Sequence, residues 1–293
     1  MLYRKTRGFR LFMVFNFCIL TLVMLAIGFP FLHLLAVSFS ESAAILGGKV
    51  TVYPIGFTID AYLRIFDHPS IMQGFKNSLI QTVLGTSISL FMTTICAYPL
   101  SKKFLKGRKA FILIIMFTMF FSGGLIPTYL VVKSIGLIDT IWAVVLPFCI
   151  TPYYLLLMMT FFQGIPESLE EAAMVDGLNP LQILFKIVIP LSKPVMAAIT
   201  MFLMVYYWNN WFNSMIYLNS SKMHPVMMIV RNIVAGADLA SMGSGIGQND
   251  INTLSSASLK SAVIMVTMIP VLIVFPFAQK HFAKGVMLGA VKG

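Results

Sequence analysis

Long apolar runs divided by short polar segments dominate this chain. A helix needs about 20 mainly apolar residues to cross a bilayer, and six runs reach or approach that length: 11–39, 75–100, 110–132, 141–162, 194–216 and 261–279. The pattern predicts an all-α membrane protein with six transmembrane helices. The first run is too long for a signal-peptide core and reads as a retained anchor.

Composition agrees. Of 293 residues 58% are hydrophobic and 11% charged, against roughly 25% charged in soluble domains. Mean hydropathy is +0.88. These values exclude a disordered protein, a disulfide scaffold and an ordinary soluble enzyme. Cys18, Cys96 and Cys149 all lie in apolar runs and read as small apolar filler.

The net charge of +11 raises nucleic acid as a partner, but its distribution points to a membrane. Arg4, Lys5, Arg7 and Arg10 precede the first run. Lys102, Lys103, Lys106, Arg108 and Lys109 separate the second from the third. Lys280, Lys284 and Lys292 follow the last, and no acid accompanies any group. Basic residues gather on the cytoplasmic side of membrane proteins. Both termini and the 101–109 loop are therefore expected inside, with 40–76, 133–140 and 217–260 outside. The 163–193 loop must then also be cytoplasmic, yet it carries four acids and two lysines, and this departure invites a functional explanation.

No acid lies within the six runs, and His33 is the only histidine there. Proton-coupled carriers usually place ionisable groups at membrane depth. No GxxxxGK[ST], HExxH, CxxC or GxSxG string occurs, so neither an ATP site of that type nor a catalytic constellation is visible. A self-contained channel or carrier for a small polar solute is the alternative. A membrane-embedded enzyme lacks its reacting groups.

Within 163–190, Pro166 suits the first turn of a helix, and Glu167, Glu170 and Glu171 favour its positive end. Gly177 is a natural stop. Asn179 then serves as N-cap, Pro180 as first helical residue and Gln182 as partner in a capping box. The second helix is expected to end where Pro190 interrupts it. Its apolar positions Leu181, Leu184, Phe185 and Val188 fall at helical spacing. Such a hairpin either rests on membrane or bundle, or docks a cytoplasmic partner.

In the fifth run Tyr206, Tyr207, Trp208, Asn209, Asn210, Trp211 and Asn213 stand close together. Aromatic faces stack on pyranose rings and amides bind hydroxyls. Asparagines in a span are costly unless they face water or each other. Tyr206, Trp208, Asn210, Trp211 and Asn213 are the candidates for a solute path, and an interfacial aromatic belt is the other reading. The glycine-rich stretch 242–250 reads as a polar outer connector or as a surface for a partner.

Glu171-Ala172-Ala173, three residues, Gly177, nine residues and Ile187-Val188-Ile189-Pro190 resemble the EAA loop of binding-protein-dependent ABC importer permeases. Ile189 replaces the leucine of that family's I-x-L-P ending. The tail from Lys284 to Gly293, ending Val291-Lys292-Gly293, and the Trp208-Asn209-Asn210-Trp211-Phe212 string are similar to maltose-importer-like sugar permeases. Gly124-Leu125-Ile126-Pro127-Thr128-Tyr129 is similar to a subgroup importing oligosaccharides from plant or algal polysaccharides, with rhamnogalacturonan fragments and alginate as candidates.

The resemblance implies a type I importer permease of the MetI-like fold. An N-terminal helix and outer loop span 1–74, a transmembrane core 75–280, and a cytoplasmic tail 281–293. It also implies a related permease as heterodimer partner, two ABC ATPase subunits, an extracytoplasmic sugar-binding protein, an oligosaccharide substrate and surrounding lipid, with no nucleic acid. This chain would be non-catalytic and bind no cofactor or metal, ATP and magnesium residing on the ATPases. Glu171, Ala172, Ala173, Asp176, Gly177, Leu181 and Phe185 would meet an ATPase, as would Gly289, Lys292 and Gly293.

Overall fold

A computed structural model describes residues 7–235 and 256–290 of the chain. Among them there are only helices, turns and one isolated antiparallel bridge, Ser40 to Phe57. They form two compact units, 7–68 with 232–235 and 256–268, and 69–231 with 269–290.

The first unit begins with α1 (Arg7–Ser38), whose most apolar window is not buried at all. After it α2 (Ser42–Leu46) and α3 (Asp60–Asp67) hold a small loop together. Phe39 stacks on Phe57 at 5.4 Å and on Tyr62 at 4.7 Å, while the Ser38 and Tyr62 hydroxyls lie 2.7 Å apart. The His33 ring nitrogen Nδ1 sits 2.7 Å from the Thr51 carbonyl oxygen. A loop carbonyl, rather than a group on another span, meets this histidine.

The second unit is organised around α4 (Pro69–Ser101). Its packing is the reverse of a soluble helix. Ser78, Thr82, Gly85, Thr86, Ser89, Thr93 and Ala97 are buried, whereas Leu79, Ile80, Val83 and Phe91 are exposed. Lipid provides no drive to bury leucine, so helices in membranes associate through small and hydroxyl-bearing faces. The small face lets the backbone of α12 (Lys193–Trp208) approach closely. A Cβ added at Gly85 would lie 2.6 Å from ring carbons of Tyr207. That ring is fully buried and its hydroxyl is 2.8 Å from Ser89 Oγ, so it cannot swing aside without losing a buried bond. Gly85→Val is therefore expected to lower stability by about 1–3 kcal/mol, read as a lower midpoint for thermal unfolding of the purified protein in detergent. An unchanged midpoint would mean that the two helices separate freely.

Three helices, within 8–38, 69–101 and 257–276, are each long and apolar enough to span a bilayer; three bent pairs supply further spans if each pair counts as one. Several runs expected to be continuous are broken. The 110–132 run divides into α5 (Arg108–Phe120) and α6 (Leu125–Ser134), turned 116° from one another. The break lies at Gly123 and Gly124, the latter at φ 86, a conformation that favours glycine. At 13 residues α5 is about 20 Å long, short of the roughly 30 Å apolar thickness of a bilayer. The 141–162 run bends by 50° between α7 (Ile141–Val145), with its 3-10 extension Leu146–Phe148, and α8 (Pro152–Gln163). Pro147 and Pro152 interrupt the backbone ladder there.

The 194–216 run is interrupted after α12. Asn210 has φ −79 and ψ 68, and Trp211 N–H donates to the Asn209 carbonyl at 2.9 Å. Together these make an inverse γ-turn. The helix resumes as α13 (Trp211–Tyr217), and α14 (Val226–Ala235) follows. The last helix, α15 (Ser256–Ala290), begins before and ends after the expected 261–279 run.

Candidate functional site

The 163–190 loop folds as the two capped helices its residues foretell. α9 (Glu167–Val175) begins after Pro166, which occupies the N-cap rather than the first turn. Gly177 closes it at φ 81, with Gly177 N–H on the Met174 carbonyl and Leu178 N–H on the Ala173 carbonyl, both at 3.0 Å. α10 (Pro180–Ile183) opens with a complete capping box between Asn179 and Gln182, at 2.9 and 3.0 Å.

Pro190 does not end the second helix. Leu184–Val188 winds as a π turn and α11 (Ile189–Leu191) continues past the proline. A proline inside an α-helix clashes with the carbonyl four residues back; the wider π turn relieves that clash. The chain then bends by 83° at Ser192 into α12.

The hairpin has a sharp inner and outer side. Ala173, Ile183, Leu184 and Val188 are buried in the same core as Leu155 and Phe162. Glu171, Ala172, Asp176, Gly177, Leu181 and Phe185 are exposed, as are Met174 and, at 88%, Val175. Of the expected ATPase-facing residues on the hairpin, Ala173 alone turns into the chain's own core. Lys292 and Gly293 lie outside the described residues. Gly289 belongs to the backbone of α15.

The acid that matters structurally is Glu170, which sequence reasoning passed over in favour of Glu171. Glu170 is 5% exposed. Both its carboxylate oxygens accept from Lys102 Nζ, and Tyr98 Oη donates to Oε2 at 3.2 Å. Lys102 Nζ also stands 4.7 Å from the Tyr98 ring centroid. Lys103 and Glu167 pair at 3.3 Å on the exposed side. Glu167 and Glu170, three apart on one helix face, opposite a basic loop, are the signal in the sequence that could have found this arrangement. A cavity of ≈ 400 Å³, lined by Lys102, Lys103, Phe104, Glu167, Glu170 and Glu171 among others, lies alongside.

The interruption after α12 makes a second feature. Val205, Tyr206, Asn209, Asn210, Trp211, Phe212 and Asn213 surround an open depression of ≈ 420 Å³. Asn213 Nδ2 donates to Tyr206 Oη at 3.2 Å. Asn210 is 7% exposed and its Nδ2 has no partner among the described residues. Arg231 of α14 stands 5.5 Å from the Trp211 ring centroid. Four of the five expected solute-path residues thus come together. Trp208 faces elsewhere, lining a predominantly apolar cavity with Leu79, Pro270 and Phe275.

An irregular backbone at membrane depth is tolerated where protein or a water-filled cavity satisfies it. Broken helices with clustered polar side chains mark solute sites in transporters. The capped hairpin and the broken span are thus the two candidate functional features. Residues 70–288 match the model of the binding-protein-dependent transport system inner membrane component family. The chain belongs to that family. This permease is 43% identical over 289 residues to the polygalacturonan/rhamnogalacturonan transport system permease protein YtcP of Bacillus subtilis (strain 168), covering 97% of this chain and 99% of that one. It is 41% identical over 289 residues to protein LplC of the same organism, covering 99% and 97%. A chain from the crystal structure of a bacterial ABC transporter involved in the import of the acidic polysaccharide alginate superposes on the permease with a TM-score of 0.88 and 32% identity, covering 94% and 98%. The permease is thus an inner-membrane component of a binding-protein-dependent system, and its fold is that of an ABC importer subunit.

Proposed function

We propose that this permease forms half of the pathway of an ATP-driven importer for acidic oligosaccharides, fragments of uronate-containing polysaccharides. A related permease supplies the other half. Two ABC ATPase subunits, carrying ATP and magnesium, dock on the hairpins of the two permeases, and an extracytoplasmic binding protein delivers the sugar. This chain binds no cofactor. The termini and the 101–109 loop face the cytoplasm, in keeping with the Lys and Arg distribution. Reporter fusions after Lys106 and Gly293 should read inside, and those near Gly48 and Gly245 outside; an inside signal at Gly245 would overturn this topology.

The observation that carries the substrate reading is the depression at the Asn209–Asn210 interruption. The Trp211 ring offers a stacking face, Tyr206 and the asparagines offer hydroxyl partners, and Arg231 brings positive charge to the Trp211 ring. The substrate class is supported by relatives named for polygalacturonan/rhamnogalacturonan and by the alginate importer. The complex reconstituted in vesicles should show ATP-dependent, saturable uptake of oligouronides in the presence of the binding protein. Asn210→Ala and Trp211→Ala should each reduce that uptake about tenfold, the effect of roughly 1.4 kcal/mol, while the complex still assembles. Normal uptake by both variants would make the cluster an interfacial belt.

A further inference from the structure

We propose that α4 acts as a connecting rod between the ATPase-facing hairpin and the interrupted span, with Glu170 as the positioning residue that clamps the hairpin to it. The proposal rests on the coupling role given to the hairpin above.

Two routes lead from α9 to the depression. The covalent route runs through α10, the π turn Leu184–Val188, the 83° bend at Ser192 and α12. It holds a non-α turn and a sharp corner, both places where a helix yields. The other route is non-covalent and holds neither a non-α turn nor a sharp corner, its one irregularity being Pro99 inside the last turn of α4. Glu170 on α9 is held at the end of α4 by Lys102 and by the Tyr98 hydroxyl. Glu170 is buried and Lys102 partly so, and removing the lysine leaves a buried charge uncompensated, so the contact resists being pulled open. The neighbouring Tyr98 and Phe162 rings pack edge to face at 6.4 Å.

From there α4 runs for 33 residues as one helix, a length of about 50 Å. It is fixed laterally where Gly85 admits the Tyr207 ring. Towards its other end Gln81 Nε2 donates to Ser214 Oγ at 3.5 Å, and Ser214 Oγ donates to the Asn210 carbonyl at 2.7 Å. Asn210 is the central residue of the γ-turn that opens the depression. Nearby, Ser78 Oγ accepts from Val226 N–H at 2.9 Å, and Asn77 Nδ2 donates to the Lys222 and His224 carbonyls at 2.8 and 3.1 Å. A displacement of α9 therefore reaches the backbone at Asn210 through side-chain contacts along one rigid element. A chain of packed contacts becomes a coupling route only when both ends are shown to bias each other, and that is the property to measure.

The test uses the whole reconstituted complex in vesicles, recording oligouronide uptake and ATP hydrolysis stimulated by the loaded binding protein. Glu170→Gln should leave stimulated hydrolysis within about twofold of wild type while uptake per ATP falls about tenfold. The exchanged pair, Lys102→Glu with Glu170→Lys, should recover most of that ratio. Gln81→Leu, far from the hairpin, should lower the ratio similarly, and combining it with Glu170→Gln should produce little further loss, since both cut one route. Tyr98→Phe, which removes only a hydroxyl, should give a smaller fall in a protein that assembles normally. A wild-type ratio in Glu170→Gln, or losses that multiply in the double variant, would overturn the rod. If Glu171→Lys abolishes transport while Glu170→Gln keeps the normal ratio, the hairpin couples and only the rod is wrong. If neither substitution changes anything, the coupling role of the hairpin falls as well.

Discussion

Gly177→Val is expected to abolish ATP-driven uptake in a protein that still inserts and still forms α9 and α10. At Gly177 φ is 81, and a Cβ there would meet nothing within 4 Å. The cost is therefore one of backbone conformation, about 1–2 kcal/mol for a residue with a Cβ. That is too little to unfold a hairpin held by the buried Glu170 carboxylate on one side and the Asn179 capping box on the other. It is enough to turn the corner and re-aim α10, and with it the exposed Leu181 and Phe185. Asparagine tolerates the left-handed conformation better than other residues with a side chain. Gly177→Asn should therefore retain much of the uptake that Gly177→Val loses. Glu171→Lys should fail for a different reason. In the proposed complex its exposed carboxylate would accept a charge-assisted bond from a basic group of the ATPase, worth roughly 1.5–3 kcal/mol, and lysine would repel that group. Vesicle uptake and hydrolysis by the reconstituted complex check both. Wild-type transport by Gly177→Val and Glu171→Lys together would mean that this hairpin is not the coupling element.

Phe185→Glu is expected to detach the ATPase subunits. Leu181 and Phe185 are exposed on the hairpin, and Met174 and Val175 are exposed on α9. Their neighbours Leu184 and Val188 fill the chain's own core, so the apolar stripe of this short helix is split between two destinations. Fully burying one phenylalanine against a partner contributes about 1.5–3 kcal/mol, and a carboxylate in the same place must be desolvated without a counter-charge. Affinity for the ATPase should fall at least a hundredfold, seen as ATPase lost from washed membranes while the permease remains. Leu184→Glu is the useful contrast: it should reduce the amount of folded permease itself. Full retention of the ATPase by Phe185→Glu would remove the exposed stripe from the docking surface.

The parts of this structure that follow local rules were legible in the residues. Gly177, Asn179 and Gln182 act within a few residues of themselves, and the hairpin they shape appears as read. The long apolar runs likewise mark where helices lie. The interruptions were harder to read. The Asn209–Asn210 turn forms where the chain's partners accept a broken ladder, and nothing in an 18-residue apolar window distinguishes a straight span from a bent one. Pro190 was misjudged because proline's effect depends on whether the preceding turn can widen. Glu170 and Glu171 are adjacent and chemically identical; only the placement of Lys102 and Tyr98, some 70 positions earlier, sends one inward and leaves the other outside. The sequence did place the solute candidates in one neighbourhood, but the direction of Trp208, away from the depression, depends on how α12 rotates against its neighbours.

The inverted face of α4 sets two requirements of the same helix against each other. Entry into the bilayer favours leucine and valine at every position, since each hydroxyl taken into hydrocarbon without a partner is a loss. Joining the bundle requires the opposite along one side, where Ser78, Gly85, Ser89 and Thr93 are buried. A variant with those four positions made leucine should enter the membrane more readily and yet accumulate as an unassembled chain prone to degradation. For this segment, gain in insertion is a warning sign, and selection for expression alone would move the protein away from its function.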